Sequence, residues 1–405
     1  MPAHARACNP DIGARTRKHR THSCPRGLMM REGCRLFRWP LSSKAGGRRV
    51  MTQPDPHSPA RTIGYLAVIA GVVVLGAGSF AYAAGWLSPS RLTPTKLVSA
   101  LAPTSGPALG HRRNHAKGVC FSGVFEANGT GTEVSRAGVF ARGTYPVLGR
   151  FNLGTPDPDA PDATVRVRGM GLQITAPDGA VWRTAMINLP FFPVATPMAF
   201  YDLLKASHST DPGAMASFTQ AHPEFARFGG WAKSAPWTTS YAEEAYNSLD
   251  AFLFVDASGA RHPVRWSLLP QAPVSPVTNA ELTRLGPNHL EPEITARVGQ
   301  APQRWTFNIT LANPGDETDD PSKAWGPDRR MLTVGTLIVS KIEPERDGPC
   351  RDINFDPTIL PDGIAVSDDP FPAARSAAYA RSYDLRASET QYYPYHLQTA
   401  KSSTP

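Results

Sequence analysis

Three groups of residues in this chain have the types and spacing to do chemistry. Arg112-Arg113-Asn114-His115-Ala116-Lys117-Gly118 sets an imidazole among cations at the entry to an apolar run. Such a histidine can take a proton from a bound molecule and return it. Asn188-Leu189-Pro190-Phe191-Phe192 places an amide beside two aromatic rings, where it can orient a polar molecule by hydrogen bonding. Arg375-Ser376-Ala377-Ala378-Tyr379 puts a guanidinium and a phenol four positions apart, on one face of a helix. A free phenol ionises near pH ~10, so a permanent cation beside it favours the phenolate. Each group also has a plain reading: a surface histidine at a strand entry, a turn before proline, an ordinary helix surface. No one of them carries a function alone.

The surrounding pattern predicts what must position them. Alternating or β-rich runs occur at Val119–Ala127, Val147–Leu153, Thr164–Thr175, Val181–Leu189, Ala251–Val255, His262–Leu269, Trp305–Ala312 and Met331–Ile342. Asp178-Gly179 and Ala257-Ser258-Gly259 give two of the connections the chemistry of short hairpins. Eight such strands predict an antiparallel β-barrel, whose interior is filled by side chains or one small ligand and is too narrow for an aqueous pore. Helical patterns lie at Thr196–Ala206, Asp211–Lys233, Asn279–Leu285 and Pro370–Ala387, the last with Asp369 as a cap before Pro370. Forty prolines make the remaining connections irregular, so the class is α+β with surrounding helices and wrapping loops.

The 405 residues are 41% hydrophobic and 19% charged, which suits a folded core. The net charge of +8 does not describe the folded part, because residues 1–50 hold 12 Lys/Arg against Asp11 and Glu32. From Met51 onward 30 basic residues face 32 acidic ones, which argues against a nucleic-acid partner. The basic leader, 1–50, has no sustained periodicity, and Met51 is the expected initiator; 51–62 is a short tail.

From Ile63 to Leu87 no residue is charged, and Tyr65 and Trp86 stand near the two ends. A bilayer-crossing helix needs about 20 apolar residues, more than the apolar region of a cleaved signal, so 63–87 reads as a single transmembrane anchor. A signal cleaved after Ala81-Tyr82-Ala83 is the alternative. The body is then expected outside the cytoplasm, in the periplasm of a bacterium, with 88–110 as linker, 111–390 as the functional domain and 391–405 as a tail. Cys120 and Cys350 are too few and too separated for a CxxC metal site; in that compartment they pair or remain buried thiols.

Read in order, these segments resemble the haem catalase superfamily. The matching text is RRNHAKG with GVFE, VLGRFN, VRGMGLQI, PDGAVWRTAMINLPFF, INFDPTILPDGI and ARSAAYARSYDLR, spanning about Arg112 to Arg386. The chain stops about 20 residues after Arg386 with no flavodoxin-like appendage, so the closer resemblance is to the short, membrane-anchored catalase-related peroxidases. The resemblance implies haem b, with His115 and Asn188 as catalytic residues and Tyr379 as the axial ligand of the iron, a pattern known for catalases. It implies Arg375 bonded to that ligand, Arg112, Arg150 and Arg386 around the haem propionates or its proximal side, Phe151 packed on the haem, and Phe200 narrowing the access channel.

The implied function is reduction of hydrogen peroxide or small organic hydroperoxides with a small-molecule or protein electron donor. Two departures bear on it: Asn152 stands where full catalases commonly have serine beside the distal histidine, and Cys120 follows HAKG in place of a small residue. A small true catalase, and a haem- or lipid-binding barrel without turnover, are the competing readings. The carrier has no need of a distal acid–base pair. A metal hydrolase would need a His/Asp/Glu cluster that the sequence lacks.

Overall fold

The computed structural model describes residues 59–88, 90–103 and 105–392. The leader 1–50 and nearly all of the 391–405 tail lie outside them. Two units divide the chain, Met1–Gly71 and Val72–Pro405. In the first, the described residues are helical.

Helix α1 (Pro59–Ala83) has a mean hydropathy of 2.1 in its most apolar window and is long and apolar enough to cross a membrane, with none of that window buried. It starts four residues before the predicted span and ends four before Leu87. The stretch predicted as linker contains a helix, α2 (Pro94–Ala100), capped by Thr93. Leu97 and Val98 of α2 are buried against Ala378, because an i, i+1 apolar pair gives even a short helix one side to pack.

All eight predicted strands form. They are β1 (Gly118–Ala127), β2 (Gly143–Leu153), β3 (Arg168–Thr175), β4 (Val181–Ile187), β6 (Phe252–Val255), β7 (Arg261–Pro270), β8 (Gln303–Leu311) and β9 (Met331–Pro344). Two short ones add to them, β5 (Tyr246–Asn247) and β10 (Ile364–Val366). Every pairing is antiparallel, and the pairing of β7 with β8 closes β1, β2, β3, β4, β5, β7, β8 and β9 into an eight-stranded barrel. The closure between β4 and β7 passes through β5, which meets β4 at the single pair Ile187–Asn247.

Alternation sends every second side chain into the barrel. The interior is packed with rings: Trp182 stacks on Phe307 at 5.6 Å, and Phe151 stacks on Tyr241 at 5.2 Å with Phe121 at 4.5 Å. Phe125, Phe254 and Trp305 are also fully buried there. A core so filled has no space for a ligand inside the barrel, so the site lies on its outer face.

Helix α3 (Pro197–Ser207) matches its prediction, while the predicted helix over 211–233 breaks at His222-Pro223 into α4 (Ala214–Ala221) and α5 (Ala226–Ser234). α6 (Asn279–Arg284) begins with a capping box of Thr278 and Glu281, and α7 (Leu290–Gln300) is an addition to the predicted elements. α8 (Pro370–Tyr392) starts as expected, with the Asp369 carboxylate accepting from the Phe371 N–H at 2.8 Å.

Candidate functional site

A cavity of about 300 Å³ lies between the outer face of the barrel and helix α8. Its barrel side carries His115, Arg150, Asn152 and Ile187; its helix side carries Arg375, Tyr379, Tyr383 and Arg386. The spacing 375, 379, 383, 386 keeps these four on one face of α8. Arg112 and Phe200 also line it.

His115 sits in the turn before β1 with φ of 55°, in the left-handed region that β-carbons disfavour. Leu249, which also lines the cavity, is the other non-glycine residue of this kind among the described residues, with φ of 63°. Backbone held in this region costs of order 1–3 kcal/mol and is found where a site needs it. Asn152 lies 2.6 Å from His115 Nδ1 through Oδ1, while its Nδ2 donates to the Arg150 carbonyl at 3.3 Å. An amide oxygen only accepts, so Nδ1 carries the proton and Nε2 is left as a base. Room for this amide comes from Gly169, where a β-carbon would stand 2.3 Å from Asn152 Oδ1. Burial, partly opposed by the Asn152 bond and reinforced by Arg150, Arg375 and Arg112, lowers the His115 pKa to about 4. The ring is therefore neutral at ordinary pH.

On α8, Arg375 Nη2 donates to the Tyr379 phenol oxygen at 3.2 Å and to the Ala185 carbonyl at 2.9 Å, and Nη1 binds the Asp250 carboxylate. Burial opposes the guanidinium charge, but Tyr379 and Asp250 outweigh it and raise the Arg375 pKa. The i, i+4 contact read from the sequence is thus formed.

Three guanidinium groups surround one acid. Glu345 accepts from Arg150 at 2.6 Å and from Arg112 at 3.2 Å, and Arg386 is 6% exposed nearby. Although burial opposes its ionisation, Arg150 and Arg112 hold the Glu345 carboxyl below the usual range. The neighbouring acid Asp352 is taken by Arg351 at 2.6 Å, so this corner keeps two uncompensated positive charges. Its strain shows in Arg112, whose pKa is lowered to about 9 by burial and by repulsion from Arg150 and Arg386. Gly118 lets Arg150 pass, since a β-carbon there would stand 2.6 Å from Arg150 Cζ. A buried pair of positive charges at the rim of an apolar cavity fits a flat apolar group bearing two carboxylates, and haem is such a group. Tyr379 presents it with a phenol oxygen bonded by Arg375, so the residues present fit haem.

Two expected site residues are placed elsewhere. Phe151 belongs to the packed barrel interior, because alternation that points Arg150 and Asn152 at the cavity must point Phe151 away from it. Asn188 is also turned out of the cavity. Its Oδ1 accepts from the Arg168 N–H at 3.1 Å, and its Nδ2 donates to Glu244 at 3.1 Å. Ile187 and Leu189, on either side, line the cavity instead. Asn188 thus stands one residue out of phase with the cavity-lining positions of its strand.

Glu345 and Asp250 had no local signal in the sequence. Glu345 lies in a charged run, Glu345-Arg346-Asp347, that reads as surface, and its partner Arg150 is 195 positions away. Cys120 and Cys350 form a disulfide with 5.4 Å between their Cα atoms, tying β1 to the loop whose carbonyls at Cys350, Arg351 and Ile353 accept from Arg112.

A closed antiparallel barrel with its cavity on the outer face against one helix, holding a buried histidine, an Arg–Tyr pair and a dicationic corner, is an enzyme fold of the catalase type. The chain belongs to the catalase family, whose sequence model matches residues 81–394. It is 36% identical over 327 residues to a catalase-related peroxidase of Synechococcus elongatus, covering 79% of this chain and 95% of that protein. It is 33% identical over 298 residues to a catalase-related peroxidase of Mycolicibacterium paratuberculosis, covering 73% and 95%. A solved bacterial catalase superposes with a TM-score of 0.61 at 20% identity, over 69% of this chain and 58% of that one. The fold is thus that of catalases, and the chain spans little more than half of that larger enzyme.

Proposed function

We propose that this protein is a haem peroxidase that reduces hydrogen peroxide or small organic hydroperoxides with an external electron donor. The observation that carries this reading is the presence, in one cavity, of a neutral histidine with a free Nε2 and an arginine-bound phenol. Tyr379 would hold the haem iron, with Arg375 stabilising its phenolate; Arg112, Arg150 and Arg386 would hold the propionates. Bound haem supplies the electron transfer to the O–O bond.

The chain's own residues do the rest. His115 Nε2 accepts the proton of an incoming peroxide and returns it to the departing oxygen. Asn152 keeps Nδ1 protonated throughout, so the ring presents the same face in both steps. Phe200, 5.4 Å from Phe192, narrows the approach and excludes bulk water. The packed barrel interior counts against a carrier that would bind its ligand inside. Asn188, engaged by Glu244, takes no part.

Helix α1 serves as a single membrane span, with the body on the periplasmic side. The Cys120–Cys350 disulfide supports an oxidising compartment. The test is the full chain loaded with haem beside Tyr379→Phe. Wild type should give a high-spin ferric spectrum of the phenolate type and consume peroxide only with a reducing donor such as guaiacol. Identical spectra in the two proteins would overturn the ligand assignment.

A further inference from the structure

The barrel wall of the cavity is a single row of cross-strand neighbours. Asn152 of β2 pairs with Gly169 of β3, Gly169 with Ile187 of β4, and Ile187 with Asn247 of β5. Residues in one row share a face, and Asn152, Ile187 and Asn247 all line the cavity. With strands about 4.8 Å apart, Ile187 stands about 10 Å along the row from Asn152, and Asn247 about 14 Å.

The polar groups near this row are already engaged. Asn152 bonds His115 and the Arg150 carbonyl. Asn114 turns its Oδ1 to the His115 N–H at 2.9 Å. Asn247 donates to the Leu189 carbonyl at 3.0 Å. Asn188 cannot swing in, because it joins Arg168 to Glu244, which in turn bonds Thr238 and the buried Arg168 guanidinium at 3.1 Å. Beyond the gap at Gly169, the first side chain facing His115's side of the cavity is therefore the sec-butyl group of Ile187.

We propose that Ile187 sets which peroxide and which reductant this site uses. Its apolar surface receives the alkyl group of a small organic hydroperoxide. It also offers a second molecule of hydrogen peroxide no hydrogen-bond donor by which to be oriented as the reductant. Donor-dependent reduction then dominates: ROOH and two molecules of a phenol give ROH, water and two phenoxyl radicals, each phenol losing one electron and one proton as the O–O bond breaks. Dismutation, in which a second hydrogen peroxide supplies both electrons and both protons and leaves as dioxygen, stays slow. This inference rests on the reading of the cavity as a haem peroxide site.

The test compares haem-loaded wild type with Ile187→Asn and Ile187→Thr. The second variant keeps the β-branch and adds only a hydroxyl, so it carries the test if the first fails to fold. Oxygen evolution from hydrogen peroxide and guaiacol oxidation driven by tert-butyl hydroperoxide are measured side by side. Both variants should raise oxygen evolution, about tenfold for the amide, and lower the preference for tert-butyl hydroperoxide over hydrogen peroxide about fivefold. Variants with the wild-type spectrum and unchanged ratios would overturn the role of Ile187 alone. A wild type that binds haem and consumes neither peroxide would overturn the peroxidase reading with it.

Discussion

Arg375 reaches the Tyr379 phenol oxygen at 3.2 Å with one Nη atom while Asp250, 3% exposed on its side chain, holds the other. The phenol is thus held by a cation that is itself held by a buried anion. Losing the anion leaves a half-buried guanidinium with only the Ala185 carbonyl and the phenol. Breaking one side of a buried ion pair costs about 3–5 kcal/mol, and with Arg375 23% exposed the lower end of that range applies. Asp250→Asn should lower the unfolding free energy by that order and shift the phenolate band of the haem-loaded protein, read by urea titration and visible absorption.

The His115 ring stays neutral until pH falls to about 4. An unfolded histidine ionises near ~6.5, so the depressed folded value gives stability that is present above that pH and lost as pH falls toward 4. For catalysis the consequence is a base available in weak acid. The acid limb of kcat/KM for peroxide reduction should therefore lie well below 6.5, and an acid limb at 6.5 would contradict the buried, Asn152-bonded ring.

Asp369 behaves in the opposite sense. Burial, and then the Asp250 charge, raise its pKa to about 7, and its Oδ2 is buried with no hydrogen-bond partner. A carboxyl whose folded pKa is raised favours the fold below the unfolded value, near ~4, and that contribution is lost as pH rises from there to 7. Asp369→Asn keeps the oxygen that caps α8 and removes the titration. Stability measured from pH 4.5 to 8 should fall with rising pH in wild type and stay flatter in the variant.

The disulfide closes a loop of 230 residues. The chain-entropy treatment puts the stabilisation from so long a loop at about 5 kcal/mol. Cys120→Ser with Cys350→Ser should lower Tm, and should also weaken haem retention, because the loop released carries the carbonyls that hold Arg112. A lower Tm with unchanged haem affinity would separate the two effects.

The dicationic corner around Glu345 makes a prediction about the cofactor itself. Haem dimethyl ester has the same ring without the two carboxylates. It should bind at least tenfold more weakly than haem to the apoprotein and raise Tm correspondingly less, since a ligand stabilises in proportion to the logarithm of its occupancy ratio. Equal affinities would mean that Arg112, Arg150 and Arg386 do not meet the propionates.

By itself the sequence determined the features that depend on near neighbours along the chain. All eight runs of period-2 apolarity became strands, seven of them in the barrel and Phe252–Val255 beside it, and Arg375 and Tyr379, one helical turn apart, met as their spacing required. His115 was legible because its cationic, strand-entry setting is a local pattern. What tertiary structure decided was strand phase and long-range partnership. Phe151 and Asn188 each sit one residue from a cavity-lining position, and in an extended chain one residue is the difference between opposite faces. The acids Glu345 and Asp250 meet arginines 195 and 125 positions away, and Cys120 meets Cys350 across 230. Those partners are brought together by closure of the barrel and docking of α8, and no local pattern in the chain records which acid will face which base.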